Sequence, residues 1–192
     1  MRTVQTVART RLSRDDWTAA GLVALAEGGM AAVAIEPLAA RLGATKGSGY
    51  WHFANRAALV EATLQRWERE HTEMVIAEVE RHSGAVERLR TLLHAVMGHA
   101  GPQAVELALL ASADDPMVAP ILCRVTERRI SYLTRLFREM DFDDQEAGRR
   151  ALLAYTTYLG HAQLARTAPR AVPRGSARQA YLDSVLTALT GD

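Results

Sequence analysis

The side chains best suited to chemistry lie in one short run, Thr45-Lys46-Gly47-Ser48-Gly49-Tyr50-Trp51-His52-Phe53. Hydroxyl, ammonium, phenol, indole and imidazole groups follow one another there, a set suited to hydrogen bonding and charge contact rather than bond breaking. The glycines do not make a phosphate-binding loop, because no strand precedes them and the lysine is misplaced for one. Elsewhere the candidate ligands are scattered. His71 and His82 are eleven positions apart, and His94 and His99 are five apart, off a single helix face. The two-histidine spacing of a zinc peptidase is absent. Cys123 is the only cysteine, so it has no partner for an internal disulfide, which fits a reducing compartment and a buried thiol. The chain therefore reads as a protein that is not an enzyme and needs neither metal nor cofactor.

The elements that must position this run are helical. Leu38, Ala39 and Leu42 recur at one-turn spacing, Gly43 can end their helix in the left-handed region, and Thr45 can cap the next. Two helices joined by a short glycine-containing turn make a helix-turn-helix, whose second helix enters the DNA major groove. Upstream, Ser13 with Asp16 predicts a capped first helix carrying Trp17, Ala20 and Ala24 and ending at Gly28-Gly29. Downstream, Asn55 can cap a long helix from Arg56 to about His82, broken at Ser83-Gly84. Breaks at Gly101-Pro102, Asp114 to Pro116, Asp141 to Asp143 and Pro169 to Gly175 delimit helices over roughly 84–100, 103–113, 117–140, 144–167 and 176–190. Asp143 with Glu146, and Ser176 with Gln179, have capping-box spacing. No alternating strand pattern or internal repeat is present.

Composition sets the outer bounds. With 48% hydrophobic and 23% charged residues, the chain has the makeup of a globular domain rather than a disordered one. No apolar run reaches the roughly 18 residues of a membrane span, so a cytoplasmic protein without membrane partners is expected. The net charge of +1 hides an asymmetry. Residues 1–60 carry seven basic against four acidic side chains, +3, and the rest sixteen against eighteen, −2. A basic amino-terminal part, including Arg2, Arg9 and Arg11 on a polar arm, suits attraction to phosphate.

The ordered set from Thr45 to Leu59, with Leu38-Ala39 and Arg41-Leu42-Gly43 before it, resembles the signature of the tetracycline-repressor (TetR) family of bacterial transcription regulators. The specific signal covers residues 12–60. The resemblance implies an all-α chain of about nine helices: a three-helix helix-turn-helix DNA-binding domain at 1–55 with its basic arm, and a helical ligand-binding and dimerisation domain at 56–192. It further implies a ligand-responsive repressor that binds a palindromic double-stranded DNA operator as a homodimer and is released by a small-molecule effector. The alternative is an all-helical small-molecule carrier or enzyme that no longer reads DNA.

Carried over by position, Thr45, Lys46, Gly47 and Ser48 fall where such proteins meet base edges or phosphates. Tyr50, Trp51 and His52 fall where they contact the DNA backbone, Arg56 where a cation at a helix start holds a phosphate, and Phe53 at the aromatic that pins the reading helix to the first. Gly49 departs from the pattern, standing where the family usually has leucine or phenylalanine. If that leaves a space, Gly49→Phe is expected to raise the melting temperature. Trp67, His71, Met74, Met97, Phe137, Tyr155 and Tyr158 are candidates to line an effector cavity. Leu152, Leu159, Leu182, Val185, Leu186 and Leu189 are candidates for the dimer contact.

Overall fold

The computed structural model describes residues 11–98 and 100–191, and all regular structure among them is helical. Arg2, Arg9 and His99 lie outside the described residues. The first helix, α1 (Arg14–Ala32), begins in a complete capping box: Ser13 Oγ accepts from the Asp16 amide at 3.2 Å, and the Ser13 amide donates to Asp16 Oδ2 at 2.7 Å. Its regular part ends at Gly29, where φ is 67°. The next helix, α2 (Ile35–Arg41), hands over to α3 (Lys46–His52) through Gly43 at φ 61°, a conformation that would strain any residue with a Cβ. Thr45 Oγ1 accepts from the Ser48 amide and caps α3 as its spacing predicts.

Asn55 caps α4 (Arg56–Glu68) by accepting from the Ala58 amide at 2.9 Å. The long helix expected to follow is not uniform. A π turn at Arg69–Glu73 separates α4 from α5 (Met74–Val79), and the rod then ends in a turn near His82. Beyond Gly84 come α6 (Ala85–Met97), α7 (Ala100–Leu110), α8 (Ala119–Arg138), α9 (Asp144–Thr167) and α10 (Ser176–Thr190). With 56–79 counted as one rod, the described residues form nine helices. Two boundary expectations are corrected. Pro102 does not break α7 but falls in its first turn, where no amide hydrogen is needed. Ser176 is inside α10, which follows Gly175 at φ 58° without a side-chain cap, and Gln179 bonds Asp183 instead. At α9 only half the expected reciprocal cap forms: Asp143 accepts from the Glu146 amide, while the Glu146 carboxylate pairs with Arg149 and Arg150.

Two apolar cores organise the helices. One gathers Trp17 and Leu25 of α1, Ile35 and Leu38 of α2, Phe53, and Leu59 of α4, and it also takes Leu109 of α7 and Ile121 of α8. The other joins α6, the far end of α8, α9 and α10 through residues such as Leu89, Phe137, Ala151 and Leu186. The first core thus crosses residue 55, because α7 packs along α1 and closes the underside of the amino-terminal helices.

Candidate nucleic-acid interface and the cavity behind it

The first two helices, α1 and α2, hold α3 between them. Arg41 on α2 grips Glu27 on α1 through both guanidinium ends, at 2.6 and 2.9 Å, a bidentate pair that fixes orientation as well as distance. Tyr50 on α3 donates its hydroxyl hydrogen to Glu36 on α2 at 3.0 Å. Phe53 is buried in the first core with the Arg14 guanidinium 5.1 Å from its ring centre, so it does join α3 to α1. Within α3 only Gly49 is buried.

That burial resolves the missing bulky residue. A Cβ built on Gly49 would lie 2.7 Å from both Ile35 Cγ2 and Trp17 Cη2. The indole of Trp17 fills the place where a larger side chain on α3 would reach. The expectation that Gly49→Phe stabilises is overturned, because no space exists there.

The outer face of α3 remains open. Thr45, Lys46, Gly47 and Tyr50 are exposed, Trp51 is 66% exposed, and Ser48 is half-buried. Arg11 stacks over the Trp51 ring at 4.0 Å, bringing a second cation to the same edge. His52 and Arg56 are committed inward as well as placed at the rim. A ring nitrogen of His52 meets the Leu12 carbonyl at 2.9 Å, and Arg56 donates through Nε to the Val33 carbonyl at 2.9 Å and through its terminal nitrogen to Met30. The α1–α2 loop is therefore tied to the start of α4.

A second feature lies on the other side of the π turn. A cavity of about 280 Å³ opens between α5, α6, α8 and α9, walled largely by Ile76, Leu92, Val96, Leu133 and Ala154. Of the aromatic and flexible residues expected around a cavity, His71, Tyr155 and Tyr158 are on this wall. The others are not. Trp67, Met97 and Phe137 are packed inside the cores, and Met74 faces outward at the surface, because the π turn rotates the residues after Arg69 away from the register of α4. Sequence spacing missed Glu70, Thr72 and Arg129, since a polar side chain on a predicted helix reads as a wet face unless the partner helix is known.

These polar groups are bound to one another. Arg129 on α8 donates to Glu106 of α7 at 2.8 Å, to the Thr72 hydroxyl at 3.0 Å and to the His71 carbonyl at 3.2 Å. Glu106 is only 1% exposed and its other oxygen has no partner among the described residues. Burial pulls the Arg129 guanidinium pKa down, but the Glu106 carboxylate, with Tyr158 and Tyr155 behind it, more than offsets this and the net shift is upward. Burial and then Arg129 push the His71 imidazole below its ordinary range, so it is neutral at pH 7. Burial and then Glu106 push the Tyr158 hydroxyl upward, so it stays protonated. From the same turn Glu70 pairs at 2.7 Å with Arg66, which donates to the Asp15 carbonyl and the Thr18 hydroxyl of α1. A short chain of polar contacts therefore runs from cavity wall to amino-terminal head.

The remaining candidates divide by burial. Leu182, Leu186 and Leu189 belong to the second core, Leu159 and Val185 are half-buried, and Leu152 is exposed beside Leu153 and Leu164 on α9. Cys123, expected to be buried, is exposed and faces Glu127, whose hydrogen bond raises the thiol pKa. No group of three or more metal-ligating side chains forms among the described residues, and no helix there is long and apolar enough to cross a membrane.

Residues 18–63 match the family model described as bacterial regulatory proteins, tetR family. No curated protein matches the chain. Among solved structures, a transcriptional regulator from Rhodococcus sp. Rha1 aligns over 94% of this chain and 95% of its own, at 22% identity and a TM-score of 0.76. A TetR-family transcriptional regulator from Agrobacterium tumefaciens aligns over 89% and 96%, at 20% identity and a TM-score of 0.74. SmeT, the repressor of the Stenotrophomonas maltophilia multidrug efflux pump SmeDEF, aligns over 93% and 91%, at 20% identity and a TM-score of 0.70. At these identities the likeness is one of fold.

Proposed function

We propose that the chain is a member of the tetR family of bacterial regulatory proteins, whose model residues 18–63 match and whose fold it shares, and that it is a ligand-responsive repressor reading a palindromic operator as a homodimer. The observation that carries this reading is the outer face of α3: a capped helix, braced on both flanks, that leaves Lys46, Tyr50 and Trp51 uncovered beside Arg11. Thr45 to Ser48 would meet base edges and phosphates, and Tyr50, Trp51 and His52 would set the helix on the backbone. Arg56 would reach a phosphate with the guanidinium hydrogens that the Met30 and Val33 carbonyls do not take. Two copies are needed because one such helix reads few base pairs, and half-sites sit about 34 to 36 Å apart. Leu152, Leu153 and Leu164 on α9 offer the uncovered apolar surface for the second copy.

The cavity is the proposed effector site. An effector against Glu70, His71 and Thr72 would bias the π turn, and through Arg66 the seating of α1 on α4. That is a population shift between two spacings of the heads, bounded by the ligand's differential affinity for them. Mobility shift with the DNA upstream of the protein's own gene tests the reading. Binding is expected to be sequence-selective, to weaken steeply with salt and to weaken further in Lys46→Ala. A protein that retards no DNA at low salt would instead be the carrier or enzyme of the alternative reading.

A further inference from the structure

The cavity has an unusual charge economy. Glu70, His71 and Arg129 line it, together with Tyr132, Tyr155 and Tyr158, and the Tyr132 hydroxyl donates to Glu80 at 2.8 Å. Glu70 is held by Arg66. All three guanidinium nitrogens of Arg129 are engaged, by Thr72, Glu106 and the His71 carbonyl, and its side chain is 13% exposed. His71 and Tyr158 are held in their neutral forms by burial. The Tyr155 hydroxyl meets Thr126 at 3.2 Å. The cavity is therefore lined by apolar side chains and by charges that have already cancelled each other.

We propose that the effector is an electrically neutral, predominantly apolar molecule, and that the Arg129–Glu106 pair acts as a built-in counter-ion that excludes anions. This names the ligand class of the cavity and rests on the effector-site reading given above. A carboxylate or phosphate that took up the guanidinium hydrogens Arg129 has left would have to share that one buried cation with Glu106, placing two anions on a single charge. An organic cation meets the converse barrier, since it would have to sit beside buried Arg129. A neutral molecule disturbs neither pair. A hydroxyl or N–H on it would be accommodated by neutral His71 and by Tyr158, whose hydroxyl lies 3.5 Å from Glu106.

The test uses two fluorescent probes that share one skeleton: neutral N-phenyl-1-naphthylamine and its sulfonate, 8-anilino-1-naphthalenesulfonate. The neutral dye is expected to bind the full-length protein at one site per chain, at least tenfold tighter than the sulfonate. Val96→Trp, which fills the cavity, should abolish that binding. Glu106→Gln unpairs Arg129 at constant shape and should shift the preference at least tenfold toward the sulfonate. In competition on the wild-type protein, which depends on no variant folding, 1-naphthalenemethanol should displace the neutral dye at lower concentration than 1-naphthoate or (1-naphthylmethyl)ammonium. If the sulfonate binds as tightly as the neutral dye and Val96→Trp removes both, the neutral-ligand inference is overturned while the cavity stands as a site. An unchanged preference in Glu106→Gln, or displacement led by either charged competitor, overturns it equally. Failure of the neutral dye to bind, or binding indifferent to Val96→Trp, overturns the effector-site reading as well.

Discussion

At the scale of single residues, Gly49 and Trp17 behave as one unit. The indole is fully buried and two of its outer carbons lie 2.7 and 2.9 Å from where a Cβ on residue 49 would be. Gly49→Ala gains about 1 kcal/mol of helix propensity but forces an overpacked contact that typically costs about 1–3 kcal/mol. Stability is expected to fall by up to about 2 kcal/mol, and the melting temperature with it. The cost should shrink when Trp17→Leu is already present, because residues in contact are not additive. Thermal denaturation of the two single variants and the double variant measures this, and an additive result would separate the two positions. Lys46 is the contrasting case. It is exposed and its change should leave stability alone while weakening DNA binding.

At the scale of elements, α9 serves two masters. Its inner side, with Ala147, Ala151, Ala154 and Tyr155, packs on α8 and walls the cavity. Its outer side presents Leu153 at 51% and Leu164 at 48% exposure, with Gly160 open between them. An apolar stripe of that kind on a long helix suits a two-fold partner. Leu153→Arg with Leu164→Arg is expected to yield a folded monomer by light scattering that no longer shifts operator DNA. A dimer surviving both changes would move the interface to another surface. Val185, a plausible choice from spacing alone, is half-buried against the second core, so a charge there would disturb the protomer before it disturbed a dimer. The π turn is the other element with consequences. It interrupts the rod between α4 and α5 where Arg129 grips the His71 carbonyl, and such turns are frequent at functional sites.

At the scale of the whole molecule, acid should loosen the carboxyl-terminal body before it reaches the carboxylates. His161 is buried and His71 half-buried, and both imidazoles titrate below the ordinary value of 6.5 when folded. An unfolded chain therefore binds more protons than the native one as pH falls below 6.5. Stability rises with pH through that window and is lost on acidification, at no more than about 1.4 kcal/mol per pH unit for each histidine. Glu27, Glu68, Glu80 and Glu146, lowered by their arginine or tyrosine partners, act in the same direction only near and below 4.5. Denaturant midpoints between pH 7.5 and 5.5 should fall, and the double change His71→Gln with His161→Gln should flatten the slope. A slope unaffected by both substitutions would assign the acid sensitivity elsewhere.

Much of the head was legible because its information is local. Ser13, Thr45 and Asn55 each cap the helix that follows, Gly29 and Gly43 turn left-handed where the pattern requires, and a cap or a turn is decided by residues three or four apart. The same locality marked the ends of α9. What depended on partners distant in sequence was not legible. Spacing brought His71, Tyr155 and Tyr158 to the cavity but also nominated Trp67 and Phe137, because a buried aromatic has the same helical period whether it faces a void or a neighbour. The Arg129–Glu106 pair joins residues 23 apart on two helices, and no periodicity within either helix marks it. Gly49 is the clearest division. The sequence by itself determined that a glycine stands inside α3, and only the tertiary structure decided that Trp17, from another helix, fills the place of a side chain there.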